Sequence, residues 1–237
     1  MKQMNKFERI SYLYSAWTAM IIPIIIATMM LYCSIDIHDI GVIEYILGFI
    51  PVALFASIGF FMRSIFKETA KKILQYPLFK EDETRMPTTE FLLWHTSKMS
   101  KSQKRQIHQQ VKDDFGITLL SEAKESQDEI EARLTIVDAV GKIRNVTRGN
   151  PILLKANYEY GFWRNLIGGL AWALAFVICM WIINVFTMSV SQWWFAAASV
   201  LILFIAAFDY YVCFGSCARY YAKQLFAAYI HGAINNK

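Results

Sequence analysis

Charge is what this sequence has too little of: 18% of its 237 residues are Asp, Glu, Lys or Arg, and 56% are apolar. A water-soluble domain carries about 25% charge and about 45–50% apolar residues. The shortage is local, held in residues 10–62 and 165–218, and the stretch between them has an ordinary soluble composition. That distribution excludes a simple soluble globule and points to a membrane protein. Cysteine is scarce as well. Cys33, Cys179, Cys213 and Cys217 all lie in or beside apolar segments, so neither a disulfide framework nor a zinc site is expected. Buried thiols are the expectation; a palmitoylation or redox site at Cys213 and Cys217, four apart, is the alternative.

Motifs of catalysis are missing too. There is no Walker A loop, no GxSxG and no HExxH. His95 and His108 match no nuclease spacing, and Glu81-Asp82-Glu83 reads as a solvated run before it reads as a cation site. No enzyme and no cofactor is expected. Nucleic acid is not expected either. Residues 74–161 hold 13 Lys and Arg against 13 Asp and Glu, which gives no net basic footprint.

What is present is length in the apolar runs. About 20 helical residues cross a hydrocarbon core of about 30 Å, and Tyr12–Cys33, Val42–Met62, Leu166–Met188 and Trp193–Cys213 qualify without a single Lys or Arg. In lipid such runs must be helices, because nothing else satisfies every backbone group. The basic start MKQMNKFER, followed by a run too long for a signal core, reads as a retained first helix.

Basic residues set the expected orientation. Lys2, Lys6 and Arg9 precede the first run; Arg63, Lys67, Lys71 and Lys72 follow the second; Arg164 precedes the third; Arg219, Lys223 and Lys237 follow the fourth. The turns Ser34–Gly41 and Ser189–Gln192 have none. The expectation is a multi-pass inner (plasma) membrane protein with both termini and the middle segment in the cytosol. The outer turn's Asp36, Asp39 and Glu44 read as solvated acids.

The expected fold class is an all-α membrane protein. Two hairpins, residues 1–76 and 161–237, flank a small cytosolic module, residues 77–160, that is mainly helical, with α+β as the alternative. Arg63, Lys67, Lys71, Lys72, Arg219 and Lys223 are expected to contact lipid headgroups. Pro23 and Pro51 are expected to bend their helices, and Pro77 to end the extension of the second run. Small residues, including Gly168, Gly169 and Ala173, suit close helix contact. Asp209, sixteen residues into the fourth run and thus about 24 Å along it, is expected to pair with Arg164 near the inner boundary, or else to reach interfacial water.

In the module, TTEFLLW (88–94) reads as a strand or short buried segment, and ILL (152–154) as a further strand. A helix is expected over Ser100–Phe115, capped by Ser100 or Ser102 and ended at Gly116, with Ile107, Val111 and Phe115 inward. A second is expected over Ser126–Arg148. Ser126 and Glu129 would form its capping box, with Ile130, Leu134, Val137 and Gly141 on its apolar face and Ile136, Val140 and Ile143 widening it. Lys98, Lys101, Lys104, Arg105 and Lys112 form one local basic stretch, a candidate contact for an acidic partner or an anionic surface.

The layout as a whole resembles the multi-span subunits of bacterial anti-phage systems, such as the membrane component of Kiwa; PTTEFLLW and YEYGFWRN are its most distinctive stretches. The resemblance implies a homo-oligomer in contact with membrane lipids that docks a cytosolic protein or senses disturbance of the membrane. An oligomeric channel or pore-forming effector is the alternative, and a membrane enzyme the third reading.

Overall fold

The computed structural model describes residues 6–34 and 41–235, with side chains left undescribed at 41–48 and 233–235. The outer-turn acids Asp36, Asp39 and Glu44, together with Lys2 and Lys237, therefore lie outside the described side chains. The main helices are α1 Ser15–Ser34, α2 Gly41–Ala70, α3 Pro87–Leu92, α4 Lys101–Phe115, α5 Glu129–Val146, α6 Pro151–Thr187, α7 Gln192–Phe208 and α8 Gly215–Asn235. Among the described residues there is no strand. π-Helical turns Arg9–Tyr14, Lys71–Gln75 and Asp209–Phe214 lie within the long helices. Among the described residues four helices are long and apolar enough to cross a membrane: Lys6–Ser34, Phe49–Phe79, Pro151–Thr187 and Gln192–Gly232.

The helices divide into two compact units, Met1–Ile73 with Gly161–Phe214, and Leu74–Tyr160 with Gly215–Lys237. The segment read from sequence as a basic tail on the last hairpin therefore contributes to the second unit.

In the first unit, α1, α2, α6 and α7 meet over Ala16, Ala19, Met20, Phe66, Leu170, Ala173, Phe195 and Ile202. Glycine makes that approach possible. A Cβ on Gly168 would sit 2.0 Å from the Phe66 carbonyl oxygen, and one on Gly169 would sit 2.6 Å from Ala19 Cβ. The outward surface is apolar: Phe61, Phe186, Trp193 and Phe204 are exposed, as suits a solvent of lipid tails. Cys33 and Cys179 are also exposed, and Cys213 and Cys217 half-buried; all four are free. The expected burial fails most clearly at Cys33 and Cys179, which lie on helix faces that the first unit turns outward.

The turn between α6 and α7 is built on Asn184, which is fully buried. Its amide donates to Val190 O at 2.8 Å and accepts from Val190 N at 2.9 Å. Ser34 at the end of α1 donates to Ser189 at 2.8 Å, tying this turn to the end of the first helix.

Pro77 does not end its helix, which runs on through Tyr76–Phe79. The π turn Lys71–Gln75 immediately before it widens the spiral where the ring would crowd a carbonyl four residues back.

In the second unit, α3, α4, α5 and α8 enclose Leu92, Leu93, Ile107, Val111, Ile136, Val140, Ile143, Leu225 and Phe226. Residues 88–92 are helical rather than a strand, and the short segment is largely buried through Leu93. Residues 152–154 are also helical, because Asn150 caps α6: its side-chain oxygen accepts from Ile152 N at 3.0 Å and Leu153 N at 3.1 Å. Ser100 caps α4 by accepting from Gln103 N at 3.3 Å, and Gly116 ends it at φ 68°. The Ser126–Glu129 capping box does not form. Asp128 caps α5 instead, accepting from Glu131 N at 3.0 Å, while Ser126 bonds back to Ala123 O at 2.8 Å. The face of α5 is also rotated from the expectation: Ile136, Val140 and Ile143 are buried with Ala132 and Ala139, while Ile130 and Leu134 are 74% and 45% exposed.

Candidate functional site

Polar side chains organise the second unit around two stretches of loop. Arg133 of α5 donates to Glu90 at 2.7 Å, to Glu129 at 2.7 Å and to the Thr84 carbonyl at 2.8 Å. Arg144, three turns on, pairs with Glu83 at 2.7 Å. These contacts hold the loop after Phe79, where Lys80 and Glu83 both adopt a φ of 60°. Glu83 is thus a structural ion-pair partner, and no cluster of three metal-binding side chains exists among the described residues. Burial opposes charge on Glu90, but the Arg133 bond and the nearby Lys98 outweigh it, so its carboxyl stays below the usual range.

The second loop, between α3 and α4, is fastened from both sides. The Glu125 carboxylate accepts from the backbone N–H of Trp94 at 2.9 Å and of His95 at 3.2 Å, and meets His95 Nδ1 at 3.0 Å. The Trp94 indole donates to Leu120 O at 2.9 Å and its ring packs on His108, with centroids 4.7 Å apart. Burial holds the His108 imidazole below its ordinary pKa. Lys104 is 0% exposed. Its ammonium donates to the carbonyls of Leu93 and Thr96, and burial lowers its pKa.

That geometry breaks up the basic stretch. Lys104 points inward as a loop fastener, because α4 turns it to the side of Ile107 and Val111. Lys98 pairs with Glu90 at 3.4 Å and Lys101 with Glu122 at 2.6 Å. Both border a groove of about 620 Å³ with Trp94 and His95. Arg105 and Lys112 are exposed. Lys104 therefore leaves the candidate contact surface, and Lys98, Lys101, Arg105 and Lys112 stay on it. The Glu125–Lys104–His108 cluster was not legible in advance. Lys104 and His108 share one helix, four residues apart, but Glu125 comes from a separate short segment whose charges give no local sign of burial.

The expected headgroup residues are placed as follows. Arg63 stacks 4.1 Å over the Phe60 ring. Lys67 and Lys71 both pair with Glu68 at 3.2 Å, so this basic face carries an acid within it. Lys72, Arg219 and Lys223 are exposed.

The Asp209–Arg164 pair is not formed. Arg164 Nε donates to Asn165 Oδ1 at 3.2 Å, and Asn165 Nδ2 in turn donates to the buried Ser11 carbonyl at 2.6 Å. The guanidinium thus bonds the neighbouring side chain of its own helix, and that amide bonds the N-terminal π turn. Asp209 is 0% exposed, and among the described residues neither of its carboxylate oxygens has a hydrogen-bond partner.

Compared with family models, with curated proteins and with solved structures, the chain has no match.

Proposed function

We propose that this chain is an integral inner-membrane subunit of a multi-protein assembly, with its polar helical unit in the cytosol as the platform for a soluble partner. The supporting observation is the outward face of α5. Its inner face closes an apolar core, yet Ile130 and Leu134, one turn apart, stand exposed in a unit otherwise rich in ion pairs. An apolar ridge rimmed by charge, here Glu131, Asp138 and Lys142, suits the groove or helix of another protein. The distribution of Lys and Arg supports the cytosolic placement, and the two-hairpin layout supports a homo-oligomer in the bilayer. The resemblance in layout to anti-phage subunits supports a defence setting.

The test uses the full chain in its native membrane, with a photo-crosslinking residue at position 130 or 134 and, as control, at 105. Cross-linking from 130 and 134, but not 105, to one soluble protein supports the reading. Cross-linking only to lipid or to copies of the chain itself defeats it, as does export of a reporter fused to either terminus.

A further inference from the structure

The buried stripe of α7 runs Phe195, Ala198, Ile202, and Asp209 falls seven residues beyond Ile202 on the same stripe. It therefore faces the interior of the first unit and not the lipid. The chain there is a π turn, Asp209–Phe214. Phe214, the next buried residue, follows at the five-residue interval of that turn. The extra residue keeps both side chains inward. A buried carboxylate whose two oxygens both lack a donor costs several kcal/mol when charged, and a span tolerates such a group when it has a task.

Charged neighbours do not relieve it. Among the described residues no lysine, arginine or second carboxylate acts on Asp209, and the titratable group that feels its charge is the Cys213 thiol, one turn further along the same helix. A metal cation would need several oxygen ligands, and no set of three His, Cys, Asp or Glu side chains gathers here among the described residues. A proton is the one ligand that satisfies a lone carboxylate by itself.

We propose that Asp209 is a proton-binding site inside the membrane bundle, occupied in the resting protein and lodged at the π turn of the fourth span. Binding of the proton converts an uncompensated charge into a neutral acid that the apolar stripe can hold. Release of the proton would leave a charge in that stripe and so act on the helix at its least regular turn.

Dicyclohexylcarbodiimide, an apolar reagent that adds to protonated carboxyls within membranes, tests this on the full chain in vesicles at about pH 7, where a water-exposed aspartate is fully ionised. Peptide mapping should place one adduct on Asp209 and none on the exposed Asp138 or Glu122. Asp209→Asn should abolish the adduct, and it should remove from the infrared spectrum the carbonyl band of a protonated acid. Absence of either the adduct or the band in the unsubstituted protein overturns the proposal. So does protection of Asp209 by sodium or potassium ions at constant pH, which would mark a metal-cation site. None of these readouts involves the cytosolic partner, so this proposal and the docking reading fail separately.

Discussion

The two units solve the problem of holding helices together by opposite means. The first uses absence: Gly168 and Gly169 let α6 lie almost against the backbone of α2 and the side chains of α1. For helices apolar enough to lie in lipid, burial of apolar surface there gives little net drive, and close contact is what can supply the cohesion. The second uses attachment. Its helices bury an apolar core away from water, and its loops are fastened by Arg133, Arg144, Glu125 and Lys104. Glycine in that unit has a different meaning, since a Cβ on Gly141 of α5 would meet nothing within 4 Å.

Substitutions at these positions should separate the two schemes. The largest effect is expected from Gly168→Leu. A side chain cannot occupy a site where even Cβ collides with a carbonyl, and the cost should reach about 3 kcal/mol or more. Thermal unfolding in detergent should show loss of the first unit's transition, and an unchanged transition would refute glycine-mediated packing. Next comes Lys104→Met, which removes the ammonium's bonds to the Leu93 and Thr96 carbonyls at a cost of about 1–2 kcal/mol, while Leu93 O keeps the Thr96 N–H and hydroxyl as donors. Hydrogen exchange should accelerate over residues 93–100 and leave α1 and α2 unchanged.

Acid should weaken the second unit in two stages. Because His108 titrates below its ordinary value when folded, the unfolded chain binds more protons, so stability rises with pH through the window that ends near the usual value of about 6.5. Lowering pH below that value should loosen the unit, and His108→Phe should flatten this limb. Glu90, also depressed, stabilises above the usual value of about 4.3, and that stabilisation is lost as pH falls through its folded value. Glu90→Gln should remove the second limb only. The smallest effect is expected from Gly141→Ala, which should stabilise α5 by about 0.5–1 kcal/mol because the helix interior loses a flexible residue and gains no clash. Destabilisation would mean that α5 is covered there by another chain.

The same contrast explains what the sequence reveals. Lipid-crossing helices announce themselves, because a run such as LIGGLAWALAFVICMWII permits no other structure in a bilayer. The second unit's contacts are short, polar and remote in sequence. Nothing local tells that Ala222, Leu225 and Phe226 join a core with Ile107 and Ile136, or that Asp128 outcompetes Ser126 as a cap. Residues 88–94 and 152–154 were ambiguous for want of length; Pro87 and Asn150, as helix-starting residues, decide them. Asp209 was visible as an oddity, but its missing partner was not, since Arg164 could be matched to it by depth alone.

The π turn after α7 also has a genetic meaning. Residues 210–213 include one more residue than a uniform α-helix would need to carry the inward stripe from Asp209 to Phe214. Deleting one of them would restore the ordinary spiral and still bring Phe214 onto the stripe, because four residues of an α-helix advance round the axis about as far as five residues of a π turn. At this point in the chain one residue can be lost without moving the inward face, and what its loss removes is the irregular turn itself.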